Sequence, residues 1–205
     1  MTSKEASNKS RIQTEKRKLI LDAALEEFSV SGLPGATLDK IAKGAGLSKP
    51  NLLYYFAGKE AIYTALLEGL LEIWLDPLRQ LDPSGEPVDE ILAYVRRKLD
   101  LSRDYPRESR LFANEVIQGA PLIGATLSGA LKNLVDEKAA VIEGWIAEGR
   151  IAQVDARHLI FSVWSLTQHY ADFEVQVRAV LGQDDPYRGA LLHLETMFAR
   201  TLTLQ

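Results

Sequence analysis

Three groups of residues have types and spacings that could do chemistry. Lys49, Asn51, Tyr54 and Tyr55 lie within one short stretch. They offer the ammonium, amide and phenol groups that reach base edges and phosphates when a helix lies in the major groove. Phe161, Trp164, Gln168 and Asp172 recur at i+3, i+4 and i+4, so they share one face of a helix. A tryptophan there can stack on a flat heterocycle, and a glutamine amide sets a donor beside an acceptor. On periodicity alone the simpler account is that Trp164 packs in the core and Gln168 bonds to a neighbouring helix. The histidines, His158, His169 and His193, are too far apart for an i, i+4 metal pair. Asp172 could orient His169, yet a lone histidine among aromatics is more often a packed core residue than a base. No HExxH, P-loop, GxGxxG or GxSxG pattern occurs, and no cysteine is present. The sequence gives no positive sign of an enzyme, and no metal or cofactor is expected.

The first group needs a rigid platform, and residues 37–59, TLDKIAKGAGLSKPNLLYYFAGK, read as one. Leu38, Ile41, Ala42 and Ala45 give a first short helix an apolar stripe, Thr37 suits its N-cap, and Gly46 suits a left-handed C-terminal cap. Ser48 then suits the N-cap of a second helix, Pro50 falls in its first turn, and Leu52, Leu53 and Phe56 continue it. The pair is a helix-turn-helix. In front of it a helix from about Ile12 carries Ile20, Ala24 and Phe28 and stops at Ser31-Gly32, while residues 1–10 have no apolar spacing and read as a mobile arm. Behind it Gly58 and Lys59 open a helix to about Leu81, the sole connection to the rest. Trp74 on that helix lies roughly 22 Å from Lys59 at about 1.5 Å per residue, so the helix can transmit movement.

Further helices are expected over 88–104, with Ile91, Tyr94, Val95, Leu99 and Leu101 buried, and over 107–118, ahead of Gly119-Ala120-Pro121. Three more are expected over 122–149, over 156–182 with Asp155 as cap, and from Pro186 to the C-terminus. The fold class is all-α with nine helices: an arm at 1–10, a helix-turn-helix domain at 11–58 and a helical domain at 59–205. The last two helices are apolar on most sides, which calls for burial on more than one side.

The net charge of -4 conceals an uneven spread. Residues 1–59 hold ten Lys/Arg against six Asp/Glu, and residues 60–205 hold fourteen against twenty-two. The basic end is the helix-turn-helix end, an asymmetry that favours phosphate there. Lys16-Arg17-Lys18 reads either as a solvated face or as a phosphate contact. No run approaches the roughly 18 apolar residues of a membrane span, and the N-terminus lacks an apolar segment of the signal-peptide type. Cytoplasmic residence is the default reading.

Residues 17–67 resemble the DNA-binding domain of the tetracycline-repressor (TetR) family in three parts that follow with the family's spacing: ILDAALEEFSVSG, ATLDKIAKGAGLSK and NLLYYFAGKEAIYTALL. The later segments EIWLDPL, LSRDYPRESRLF, GAPL, VDEKAAVIEGW and HLIFSVWSLTQHYADF are similar to a subgroup of that family, the pyrimidine-utilisation regulators that sense uracil and thymine. The resemblance implies a homodimeric regulator joined through its last two helices, binding a palindromic double-stranded DNA operator and a small-molecule effector. It implies DNA contacts at Thr37, Lys49, Asn51, Tyr54, Tyr55 and Lys59, although Tyr54 could instead cover the first helix. Leu53 departs from the family pattern, which has a phosphate-binding tyrosine there, so no role carries over to it. For the effector it points to Trp164 stacking and Gln168 reading the edge. Trp74 is either pocket wall or core, and Phe112 or its neighbours Asn114 and Glu115 line the cavity. The alternatives are a TetR-type repressor of a drug, fatty-acid or other metabolite response, a helical enzyme, and a ligand-free architectural DNA binder.

Overall fold

The computed structural model describes residues 3–182 and 185–204. Among these the regular structure is helical, and the chain divides into two compact units, Met1–Leu70 and Leu71–Gln205. The first unit holds α1 (Ser3–Gly35), α2 (Leu38–Gly44), α3 (Lys49–Tyr55) and the opening turns of α4 (Lys59–Arg79). The second holds the rest of α4 and the helices α5 (Pro87–Asp104), α6 (Pro106–Ile117), α7 (Gly124–Thr126), α8 (Lys132–Ala147), α9 (Ala156–Asp172), α10 (Glu174–Leu181) and α11 (Pro186–Leu202).

In the first unit Ile20, Ala24 and Phe28 of α1 are buried together with Ile41 and Ala42 of α2, Leu52 and Phe56 around α3, and Ile62 and Tyr63 of α4. The Phe28 and Tyr63 rings meet edge to face at 4.9 Å. That contact explains why the unit ends at Leu70 rather than at residue 58 as expected from the sequence: the first turns of α4 complete this core. At Gly32 the backbone of α1 leaves helical geometry (φ 63°, ψ 174°), at the stop expected there. Residues 3–10, read from the sequence as an arm, are helical backbone continuous with α1, and Met1 and Thr2 lie outside the described residues.

In the second unit Ile91, Tyr94, Val95 and Leu99 of α5 lie in one core with Leu159, Ile160 and Val163 of α9 and Leu194 and Phe198 of α11. Arg96 pairs with Glu195 across α5 and α11, and Trp145 Nε1 donates to the Pro83 carbonyl at 3.0 Å, fixing the loop before α5. Two segments differ from the nine-helix reading. Residues 122–149, expected as one helix, comprise α7, a π-helical turn (Leu127–Leu131) and α8. Within that turn the Ser128 hydroxyl donates to the Gly124 and Ala125 carbonyls, the back-bonding that loosens a helical ladder. Residues 156–182 divide at Phe173, whose backbone (φ -112°, ψ 30°) departs from the helix while its ring stacks on His169 at 5.1 Å.

Candidate nucleic-acid interface and effector cavity

Thr37 Oγ1 accepts from the Lys40 N–H at 3.3 Å, and Ser48 Oγ accepts from the Asn51 N–H at 3.4 Å, so each short helix begins on a side-chain cap. Between them Gly46 takes φ 65°. Its N–H bonds the Lys43 carbonyl while that of Leu47 bonds the Ala42 carbonyl, closing α2 in a Schellman turn. Gly44 lets α2 approach α1 closely, because a Cβ there would stand 3.1 Å from Ala23 Cβ. Leu52 and Phe56 turn inward, which leaves Lys49, Pro50, Asn51, Leu53 and Tyr54 exposed on α3 and Tyr55 half-buried.

The predicted contact residues reach the surface in different conditions. Lys49 Nζ pairs with Asp39 at 2.9 Å, and Tyr54 Oη accepts from Gln13 Nε2 at 3.5 Å, so Tyr54 both faces solvent and touches α1. The Asn51 amide is exposed with no side-chain partner among the described residues. The Lys59 ammonium donates to the carbonyls of Leu33, Pro34 and Ala36 at 2.9, 3.2 and 3.2 Å. These contacts brace the loop that delivers Thr37. Arg17 was read as solvated or phosphate-facing. It lies over the Phe56 ring at 4.2 Å and donates to the Tyr55 carbonyl, closing the end of α3.

The second unit contains a cavity lined by Leu71, Trp74, Leu75, Lys98, Phe112, Leu131, Trp164 and Gln168, with about 320 Å³ of empty space including its mouth. Trp74, Phe112, Trp164 and Gln168, the four residues singled out from the sequence, are thereby brought together. Asn114 is exposed instead, and the buried Glu115 accepts from the Leu122 N–H. Phe161 is exposed, packed between His158 and Trp164, and Asp172 accepts from Ser109 at 2.5 Å. Leu131, the last residue of the π turn, adds one wall.

Polar groups in this cavity are unevenly satisfied. Trp164 Nε1 donates to the buried Tyr94 hydroxyl at 2.6 Å, which fixes the indole plane. Burial pushes the Tyr94 hydroxyl well above its ordinary pKa, so it stays protonated. Trp74 Nε1 is buried with no partner, and the Gln168 amide makes no hydrogen bond among the described residues. Lys98 is 2% exposed, its ammonium 5.8 Å from the Trp74 ring centre. Burial lowers its pKa to about 7 against the opposing pull of Asp172, whose own carboxyl burial pushes up. The sequence reading missed Lys98, although the signal was present: it continues the stripe Ile91, Tyr94, Val95 at i+7, a lysine on a buried face.

Residues 20–66 match the family profile "Bacterial regulatory proteins, tetR family", and residues 67–205 match "YcdC-like protein, C-terminal region". The chain belongs to the TetR family. It is 48% identical over 199 residues to the HTH-type transcriptional regulator RutR of Escherichia coli, which covers 97% of this chain and 91% of that protein. Among solved structures, a putative transcriptional regulator from Streptomyces coelicolor is 27% identical with a TM-score of 0.69, covering 91% of this chain and 98% of that one. A putative fatty acid metabolism regulator from Clostridium perfringens is 20% identical with a TM-score of 0.70, covering 91% and 100%, and shares the fold. The TetR-family assignment makes the chain a ligand-responsive, DNA-binding transcriptional regulator and not an enzyme. Among the described residues no helix is long and apolar enough to cross a membrane.

Proposed function

We propose that the cavity binds a pyrimidine base such as uracil or thymine and that the ligand controls operator binding, the protein acting as a cytoplasmic repressor. The observation that carries the reading is the coincidence, in one aromatic-walled cavity, of the buried Trp74 N–H left without a partner, the Gln168 amide with no hydrogen bond among the described residues, and the Lys98 ammonium over the Trp74 ring. A buried donor left unsatisfied costs about 1–3 kcal/mol, so a ligand that satisfies several at once is selected strongly. Uracil and thymine present two ring carbonyls for such donors and an N–H for the Gln168 oxygen, while the faces of Trp74 and Trp164 supply stacking surface. Cytosine would turn an amino group toward these donors. The cavity is small, which leaves little room for a long acyl chain.

Titration calorimetry with uracil, thymine, cytosine and a medium-chain fatty acid tests the reading. Uracil or thymine binding that Gln168→Ala weakens at least tenfold supports it, and unchanged uracil affinity in that variant would falsify it. Binding of the fatty acid alone would favour a TetR-type regulator of a different metabolite.

The operator-binding form is a homodimer joined through α9 and α11. The exposed Phe161 and Leu192, apolar residues in contact with solvent on these helices, support that surface. A dimer of this kind requires a palindromic operator with half-sites about one duplex turn apart, roughly 34 Å. Sedimentation of Leu192→Glu as a monomer, against a wild-type dimer, is the expected outcome.

A further inference from the structure

The outward face of α3 is poor in hydrogen-bonding groups free to read bases. Lys49 is paired with Asp39 and Tyr54 Oη accepts from Gln13, so Asn51 carries the one side-chain amide on the exposed face of this helix and it has no partner among the described residues. The other exposed positions are apolar: the Pro50 ring, the Tyr54 ring and Leu53, whose side chain is 43% exposed. At 100° per residue Leu53 stands one turn beyond Lys49 on the same side, flanking the central pair Pro50 and Tyr54. A solitary exposed leucine is ordinary on a protein surface. This one lies on the second helix of the helix-turn-helix, among the exposed Lys49, Pro50, Asn51 and Tyr54, so a duplex that takes this helix in its major groove removes it from water. A leucine cannot accept or donate a hydrogen bond there. The apolar feature that a base pair offers in the major groove is the C5-methyl of thymine.

We infer that Leu53 is a specificity-determining residue that reads a thymine C5-methyl group in the operator. With the Pro50 and Tyr54 rings beside it, the methyl is enclosed by apolar surface, while Asn51 supplies the directional contact to a neighbouring base edge. The missing family tyrosine at this position is therefore an exchange of a polar backbone contact for a methyl contact.

The test uses a duplex selected by the wild-type protein from a randomised pool, with each thymine replaced in turn by deoxyuridine. That replacement deletes the methyl and leaves the hydrogen-bonding pattern intact. Wild type is expected to lose about fourfold in affinity at one or more positions, the value of one buried methyl. Leu53→Ala is expected to bind the thymine and deoxyuridine forms of those positions equally. Because Leu53 is exposed, the variant keeps its melting temperature, which separates lost reading from lost folding. Indifference of wild type to every replacement, selection of a duplex without thymine, or full methyl sensitivity retained in Leu53→Ala would each overturn the assignment.

Discussion

The two functional regions treat their polar groups in opposite ways. Around the helix-turn-helix, Thr37 and Ser48 cap helices, Lys49 pairs with Asp39, Arg17 closes α3 and Lys59 binds three carbonyls. In the cavity, the buried Trp74 N–H has no partner, the Gln168 amide makes no hydrogen bond among the described residues, and the buried Lys98 ammonium has only the Trp74 ring and the field of Asp172. An exposed surface can leave its groups to water and use internal bonds to hold shape, whereas a buried space has no water to spare and an orphaned group there is an unmet demand. Saturation marks the region built to be rigid, and deficit marks the cavity proposed to accept a small molecule.

The largest expected effect comes from breaking saturation at its most connected point. Lys59→Ala should destabilise the first unit by about 2–3 kcal/mol, because three carbonyls lose a charged donor. The dependence of operator affinity on salt separates the two roles. A positioning lysine leaves the slope of log affinity against log salt unchanged, and a phosphate contact lowers it by about 1.

Lys98→Met addresses the deficit and should do the reverse, stabilising the free protein while abolishing much of its effector affinity. Its sign follows from the depressed pKa. Between about 7 and 10.5 the unfolded chain holds a proton on Lys98 that the folded chain does not, so wild-type stability rises with pH across that window. Below about 7 the cost of the buried charge is present in full. Denaturant unfolding should therefore show Lys98→Met gaining more over wild type at pH 6 than at pH 9, with the wild-type rise absent from the variant. Asp172, shifted upward from 3.8 by burial, contributes in the opposite direction, and its carboxyl is present in both proteins.

Two smaller changes sharpen the contrast. Trp164→Phe removes the bond to Tyr94 and should cost about 1 kcal/mol of stability, together with effector affinity, because the stacking plane loses its anchor. Thr37→Ala removes a cap worth about 1 kcal/mol, readable as a lower melting temperature with the effector affinity intact.

What the sequence disclosed follows the reach of each interaction. Caps and turns act within four residues, so Thr37, Gly46, Ser48 and Pro50 could be assigned by spacing, and periodicity placed Trp164 and Gln168 on one wall. Trp74 and Phe112 entered with the family resemblance. The acceptors of Lys59 lie 23 to 26 residues upstream, beyond any local pattern. Arg17 reaches Tyr55 across 38 residues. Lys98 was hidden differently: it occupied a position whose spacing said buried and whose chemistry said exposed, and the conflict itself was the clue. The π turn and the break at Phe173 depend on backbone adjustments that an apolar stripe does not encode.

The placement of the indoles has an optical consequence. Of the three tryptophans, Trp74 and Trp164 line the cavity, while Trp145 is bonded to Pro83 elsewhere in the second unit. Two emitters at the cavity wall and one away from it give the protein an intrinsic fluorophore pair with an internal reference. A ligand held against these indoles is expected to change a fraction of the emission that Trp145 does not share, so that occupancy could be followed in the unlabelled protein.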